Sequence, residues 1–140
     1  VLLANADVRV DLALEAIAGR RSGEPLPEVL VRATEQMIFN AWDSDLPSGL
    51  AALRARLAAS EPALQARLLQ RYLTAQADLA RALQRAFPDR LDATTASALV
   101  GAMVGALSAS ALDALRRGEG PDEVRDAMRQ AMALVARSVT

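Results

Sequence analysis

The chain has 140 residues, of which 52% are hydrophobic and 24% charged, with a net charge of −1. That is enough length for one domain with a real core, without the basic excess by which a protein surface grips nucleic acid. It contains neither Cys nor His, which removes thiol nucleophiles, Cys/His zinc sites, histidine general bases and disulfides together.

Ala and Leu dominate and aromatics make up only 3%, a balance that favours an all-α domain. All 16 basic residues are Arg, which reads as coding bias rather than as a site. Six helical segments can be read along residues 1–140 as a single domain. The first runs from Val1 to about Gly19 and is stopped by Gly19 and Arg20-Arg21-Ser22-Gly23. It begins with Val rather than Met, with no basic n-region or cleavage site, and an upstream piece is expected. Leu3, Val10, Leu14 and Ile17 form one apolar face, and Val1, Val8 and Leu12 form a second, roughly opposite. A helix with two apolar faces is sandwiched. Val8 and Leu12 therefore pack either on a missing N-terminal domain or within this domain's own core.

The second segment opens at Glu24-Pro25-Leu26-Pro27, where proline suits a first helical turn, and continues to about Trp42. Asp43-Ser44-Asp45 breaks the chain, and a short third helix follows from Pro47 to about Ala59. Ser60 is expected to cap the fourth, which has Pro62 in its first turn and runs to about Phe87. Its apolar side is Leu68, Leu69, Tyr72, Leu79, Leu83 and Phe87, with Gln65 and Gln76 inside the stripe, while Arg67, Asp78, Arg81 and Arg85 lie opposite. Asp92 caps the fifth, which reaches about Arg117 before Gly118-Glu119-Gly120. The sixth opens at Pro121-Asp122-Glu123 and carries the stripe Val124, Met128, Ala131, Leu134 and Val135.

The fifth segment has a bulky side, Leu99, Val100, Met103 and Leu107, and a small one, Ala98, Gly101, Ala102, Gly105 and Ala109. Mid-helix Gly costs about 1 kcal/mol relative to Ala, so this pair implies a close neighbouring backbone. The uncharged run from Ala93 to Leu112 has the length of a membrane span, and Gly101-x-x-x-Gly105 matches a membrane dimer motif. Its Ala, Gly, Ser and Thr content and its lack of an aromatic belt favour a buried helix at a protein–protein interface instead.

The order of parts resembles the C-terminal domain of TetR/AcrR-type transcriptional regulators. Val1-Leu2-Leu3-Ala4 looks like the start of the helix after the helix-turn-helix headpiece, although the Tyr-Phe-x-x-Lys-Glu-like stretch that precedes it in the family is absent. Gly23-Glu24-Pro25-Leu26-Pro27-Glu28-Val29-Leu30 is similar to the entry into the next core helix. Ser60-Glu61-Pro62-Ala63-Leu64-Gln65-Ala66-Arg67-Leu68-Leu69 resembles a recurring stretch in actinobacterial members. The Ala/Gly-rich fifth segment, Gly118-Glu119-Gly120 and a final amphipathic helix look like the family's last two helices. The resemblance implies an effector-sensing and dimerisation domain of a cytoplasmic repressor. Such a domain forms a homodimer through a four-helix bundle made by the last two helices of each copy. A small, hydrophobic effector in a cavity between core helices releases operator DNA, which is held only by the missing N-terminal domain.

Candidate residues follow. For ligand binding they are Tyr72 and Gln76, one turn apart within a leucine face, with Met37, Asn40 and Trp42 near the end of the second segment and Met103 and Leu107 on the fifth. Pockets are mainly apolar with a few placed polar groups; each of these residues also has an ordinary role as core packing or as a polar group bonded within the fold. Ile38 reads as core, and Phe39 as partly exposed or covering another helix. For the dimer interface they are Gly101, Gly105, Ala109, Leu112, Val124, Met128, Leu134 and Val135, with packing on the subunit's own helices as the alternative. The acids Asp43/Asp45 and Asp122/Glu123/Asp126 have full explanations as loop, cap and helix first turn. With no Lys either, no catalytic constellation is visible, and no enzyme activity, metal, cofactor or membrane is expected. The rival reading is a ligand-free helical dimerisation or protein-interaction module, which would be packed solid where a sensor has a cavity.

Overall fold

The computed structural model describes residues 4–40 and 60–139, where the chain forms five helices. These are α1 (Ala4–Ala18), α2 (Leu26–Asn40), α3 (Pro62–Ala86), α4 (Ala93–Arg116) and α5 (Pro121–Arg137). No strand occurs among the described residues. The expected short helix ending near Ala59, like Trp42, Asp43 and Asp45, lies outside the described residues, as do Val1, Leu2 and Leu3. The last three helices therefore correspond to the fourth to sixth predicted segments.

The punctuation follows local chemistry. Asp92 caps α4, its Oδ1 accepting from the Thr95 backbone N–H at 2.7 Å. That bond to an amide at a helix N-terminus stabilises the carboxylate and holds its pKa below the ordinary value. At the other end of α4, Gly118 takes a φ of 74°, and two backbone bonds close the turn. Gly118 N–H donates to Leu115 O at 3.0 Å and Glu119 N–H to Ala114 O at 3.1 Å, satisfying carbonyls that the helix leaves open. One cap differs from expectation: α3 starts at Pro62 with Glu61, not Ser60, in the capping position. Pro62 is pre-organised for the first helical residue, which moves the cap to its immediate neighbour.

The principal helix contacts run α1–α2, α2–α5, α5–α4, α4–α3 and α3–α1, so the bundle closes as a ring around one core. Ile17, Leu26, Leu30, Ile38, Leu79, Leu83, Met103, Val29, Val100 and Val124 are each less than 2% exposed. Each such side chain contributes roughly 1.5–3 kcal/mol by leaving water. The buried Thr34 donates its hydroxyl to Leu30 O at 2.8 Å, one turn back, so it adds no unsatisfied group to the core.

Two apolar stripes are wider than the faces the bundle covers. On α3, Leu79, Leu83 and Phe87 are buried, but Leu69 is 57% exposed. On α5 the buried row steps by four through Val124, Met128 and Met132, which leaves Leu134 off its edge at 61% exposure. Phe39 is likewise 60% exposed.

Arginines fasten one end of the ring. Arg20, just past α1, donates through Nη1 to Ala86 O at the end of α3 and through Nε to Glu24 O. Its guanidinium lies 3.9 Å from the centre of the Phe87 ring. Arg32 on α2 donates to Ala16 O in the last turn of α1 at 2.7 Å and pairs with Glu24. Cations that cap helix C-termini also oppose the macrodipole favourably. On the far side of the ring Arg129 meets Glu35 through two bonds, of 3.0 and 2.9 Å, joining α5 to α2; these bonds raise the Arg129 pKa.

Candidate functional site

The opposite end of the bundle holds the candidate site. A cavity of about 300 Å³ lies between the first turns of α1, the end of α2 and the middle of α3 and α4. Leu79, wholly buried, is part of its wall. Val10 comes from α1, Met37 from α2, Leu68 and Ala75 from α3, and Val104 from α4, making most of the lining apolar. Tyr72, Gln76 and Ser108 add hydroxyl and amide groups, and Asp7, Arg9 and Arg71 add charge. An apolar body with a few placed polar groups is the usual make-up of a small-molecule site, and the volume is at the small end of the range for one.

The local folding explains the placement. Tyr72, Gln76 and Leu79 follow one another at four- and three-residue steps, so one face of α3 carries both polar groups and Leu79. Gln76 lies against α4 where Gly101 sits: its Oε1 is 3.6 Å from where a β-carbon on Gly101 would be. The small residue gives the amide room between the two helices. The same orientation puts Val104 and Ser108, three and seven residues further on, onto the cavity wall.

At the rim, Arg71 Nη1 donates to Asp7 Oδ2 at 2.8 Å, tying the start of α1 to α3 across 64 residues of sequence. Both side chains are well exposed, at 44% and 62%. Beyond this pair, on the outer side of α1 and α3, runs a second groove of about 350 Å³, lined by Asp11, Asp78, Gln70 and Thr74 among others. Asp7, Arg71, Val10 and Ala75 line both spaces, so the ion pair stands between the cavity and the groove.

The expected ligand residues divide accordingly. Met37, Tyr72 and Gln76 come together on the cavity. Met103 and Leu107, at 0% and 4% exposure, sit in the core, while their neighbours Val104 and Ser108 face the cavity; one residue along a helix is a turn of about 100°. Asn40 is half-buried at the end of α2 and does not line the cavity, and Trp42 lies outside the described residues.

The residues expected at a dimer interface divide as well. Val124 and Met128 are inside the chain's own core, and Val135 packs against it. Gly101 turns toward α3. Ala109 is exposed and Leu112 half-buried. A β-carbon on Gly105 would meet nothing within 4 Å, and Leu134 is largely exposed. Helix α4 is long and apolar enough to cross a membrane; in this fold its bulky face, Leu99, Val100, Met103 and Leu107, lies in the core.

The rim residues Asp7, Arg9 and Arg71 carried no sequence signal, because Asp7 and Arg71 meet only through the packing of α1 on α3. Val104 was within reach, since it lies one turn before Ser108 on the side that Gly101 turns to Gln76. No family model, no curated protein and no solved structure matches the chain.

Proposed function

We propose that this chain is the effector-sensing and dimerisation domain of a one-component transcriptional repressor of the kind it resembles, the TetR/AcrR regulators. One observation carries the reading: a cavity of about 300 Å³ with apolar walls and the polar groups of Tyr72 and Gln76 on one face of α3. A bundle built only to hold partners has no need of such a space, because interiors pack close to crystal density. The effector is a small, mainly apolar molecule. In the full-length regulator it changes the position of α1, the helix nearest any preceding DNA-binding headpiece, and so lowers operator affinity.

Pairing uses the outer face of α4, where Ala98, Ala102 and Ala109 are exposed and Gly105 borders open space, extended by Leu134 of α5. Small side chains let a second backbone approach closely, and no residue from Ala93 to Leu112 carries a charge that the contact would have to desolvate. Native mass spectrometry of the purified chain tests both halves of the reading. A dimer that carries a co-purified small molecule, and loses it on Tyr72→Ala with the fold intact by circular dichroism, supports the sensor. A monomer at every micromolar concentration refutes the pairing. Tyr72→Ala protein that retains the small molecule but has lost stability makes Tyr72 a packing residue.

A second reading, a ligand-free interaction module, is favoured by the exposure of Leu69 and Leu73, both 57%, one turn apart on α3. It predicts that no small molecule of any class protects the chain against thermal unfolding.

A further inference from the structure

Resting on the effector-cavity reading, we propose that the effector carries a carbonyl group whose oxygen accepts hydrogen bonds from the Tyr72 hydroxyl and the Gln76 amide.

A polar side chain inside an apolar stripe costs free energy unless something bonds it. Tyr72 and Gln76 are both half-buried, one turn apart on α3, and they line the cavity together with Leu68 and Leu79 of the same helix. Neither side chain makes a hydrogen bond with another of the described residues. A ligand that reaches both therefore supplies partners that the fold does not.

The orientation of Gln76 decides which partner fits. Its Oε1 lies 3.6 Å from the β-carbon position of Gly101, and no other atom of α3 comes within 4 Å of that position. The amide thus turns its acceptor to α4 and its N–H donors away from it. The Tyr72 phenol adds an O–H donor one turn earlier on the same face. An amine head group would meet donors with donors. A carbonyl oxygen has two lone pairs, one for each donor, and brings no proton that an apolar wall would leave unbonded.

The remaining lining suits an apolar body. Met37 of α2, Leu79 of α3 and Val104 of α4 surround the space from three helices. Its 300 Å³ equals on the order of ten water volumes at ~30 Å³ each, room for a single-ring ketone. The apolar walls then supply affinity, and the two donors discriminate against an analogue without the oxygen, which would leave them unpaired.

The test compares acetophenone with α-methylstyrene, the isostere in which a methylene replaces the carbonyl oxygen. Each is titrated calorimetrically into the whole chain, and the NMR signal of the Met37 methyl reports whether it enters the cavity. Wild type is expected to bind both, with Met37 shifting for both. Tyr72→Phe, which removes the hydroxyl and keeps the ring, lowers acetophenone affinity about fivefold, the equivalent of ~1 kcal/mol for one neutral hydrogen bond, and leaves α-methylstyrene unchanged. Gln76→Met, which keeps the length of the side chain, does the same. Unchanged binding of the hydrocarbon shows that the variants keep the fold and the shape of the cavity.

Acetophenone binding indifferent to either variant, or an equal loss of both probes, overturns the carbonyl assignment; where Met37 shifts in wild type, the cavity reading survives it. Probes that bind without shifting Met37, or binding of neither probe up to its solubility limit, overturn the assignment and the cavity reading together.

Discussion

Replacing Gly105 with Ala should stabilise the isolated protomer and weaken the proposed dimer, two effects of opposite sign from one methyl group. Within the protomer a β-carbon at this position meets nothing within 4 Å, so there is no steric cost, and the change removes the entropy penalty of a mid-helix glycine. That penalty is about 1 kcal/mol. For a chain of 140 residues, a gain of this size raises Tm by roughly 3 °C. In a two-fold dimer through the outer face of α4, the same methyl appears on both sides of a close contact, and overpacking costs on the order of 1–3 kcal/mol. Dimer dissociation should then be about five- to a hundredfold easier. Gly105→Leu enlarges the second effect. Thermal melts at a dilution that keeps the chain monomeric isolate the first term, and sedimentation equilibrium across concentration isolates the second. Gly105→Leu protein that dimerises as tightly as wild type would refute the assignment of this face. A lower monomer Tm for Gly105→Ala would refute the open space beside it.

Three further outcomes follow from the packing. Leu79→Ala, at a wholly buried position that also lines the cavity, should cost about 2–5 kcal/mol in urea unfolding; a loss under 1 kcal/mol would mean that the core collapses into the existing cavity. Arg20→Met keeps the stem and loses the bonds to Ala86 and Glu24 and the charge over Phe87. It should cost about 1–2 kcal/mol, with hydrogen exchange rising at the C-terminal turns of α1 and α3, and uniform exchange across all helices would count against a local clamp. Asp92 has a lowered pKa in the folded chain, so its stabilising effect is complete above the ordinary carboxylate value and fades as pH falls through the lowered one. Asp92→Asn, which keeps the capping oxygen, should flatten that acid-side decline in Tm, and an unchanged pH profile would show that the cap contributes nothing through its charge.

What the sequence made legible divides along a physical line. The helix boundaries were readable because their causes are local. Asp92, Pro121 and Gly118 act on the backbone within a few residues, and among the described helix starts the cap of α3 moved by one position, to Glu61. Tyr72 and Gln76 were readable as cavity residues because polar groups inside an apolar stripe need a partner, and a cavity provides one, whereas Met37, which also lines it, reads as readily as core packing. Met103 and Leu107 were not separable from Val104 and Ser108, since the bulky face of α4 meets the core and only its flank meets the cavity. That distinction depends on where α3 crosses α4, which no spacing within α4 records. The same holds for Val124 and Met128, whose stripe looks alike whether it faces its own core or another chain.

The placement of charges then connects packing to function. Arg20 and Arg32 bind backbone carbonyls at one end of α1, atoms that cannot rearrange without unwinding a helix end. Arg71 at the other end binds an exposed carboxylate, which water or a competing anion can replace. The first kind of contact gives up stability if broken, because it leaves carbonyls without partners; the second exchanges one partner for another at little cost. Breaking the contact at the second end therefore costs α1 less than breaking those at the first, and the cavity lies at that second end, with Asp7 and Arg71 in its lining.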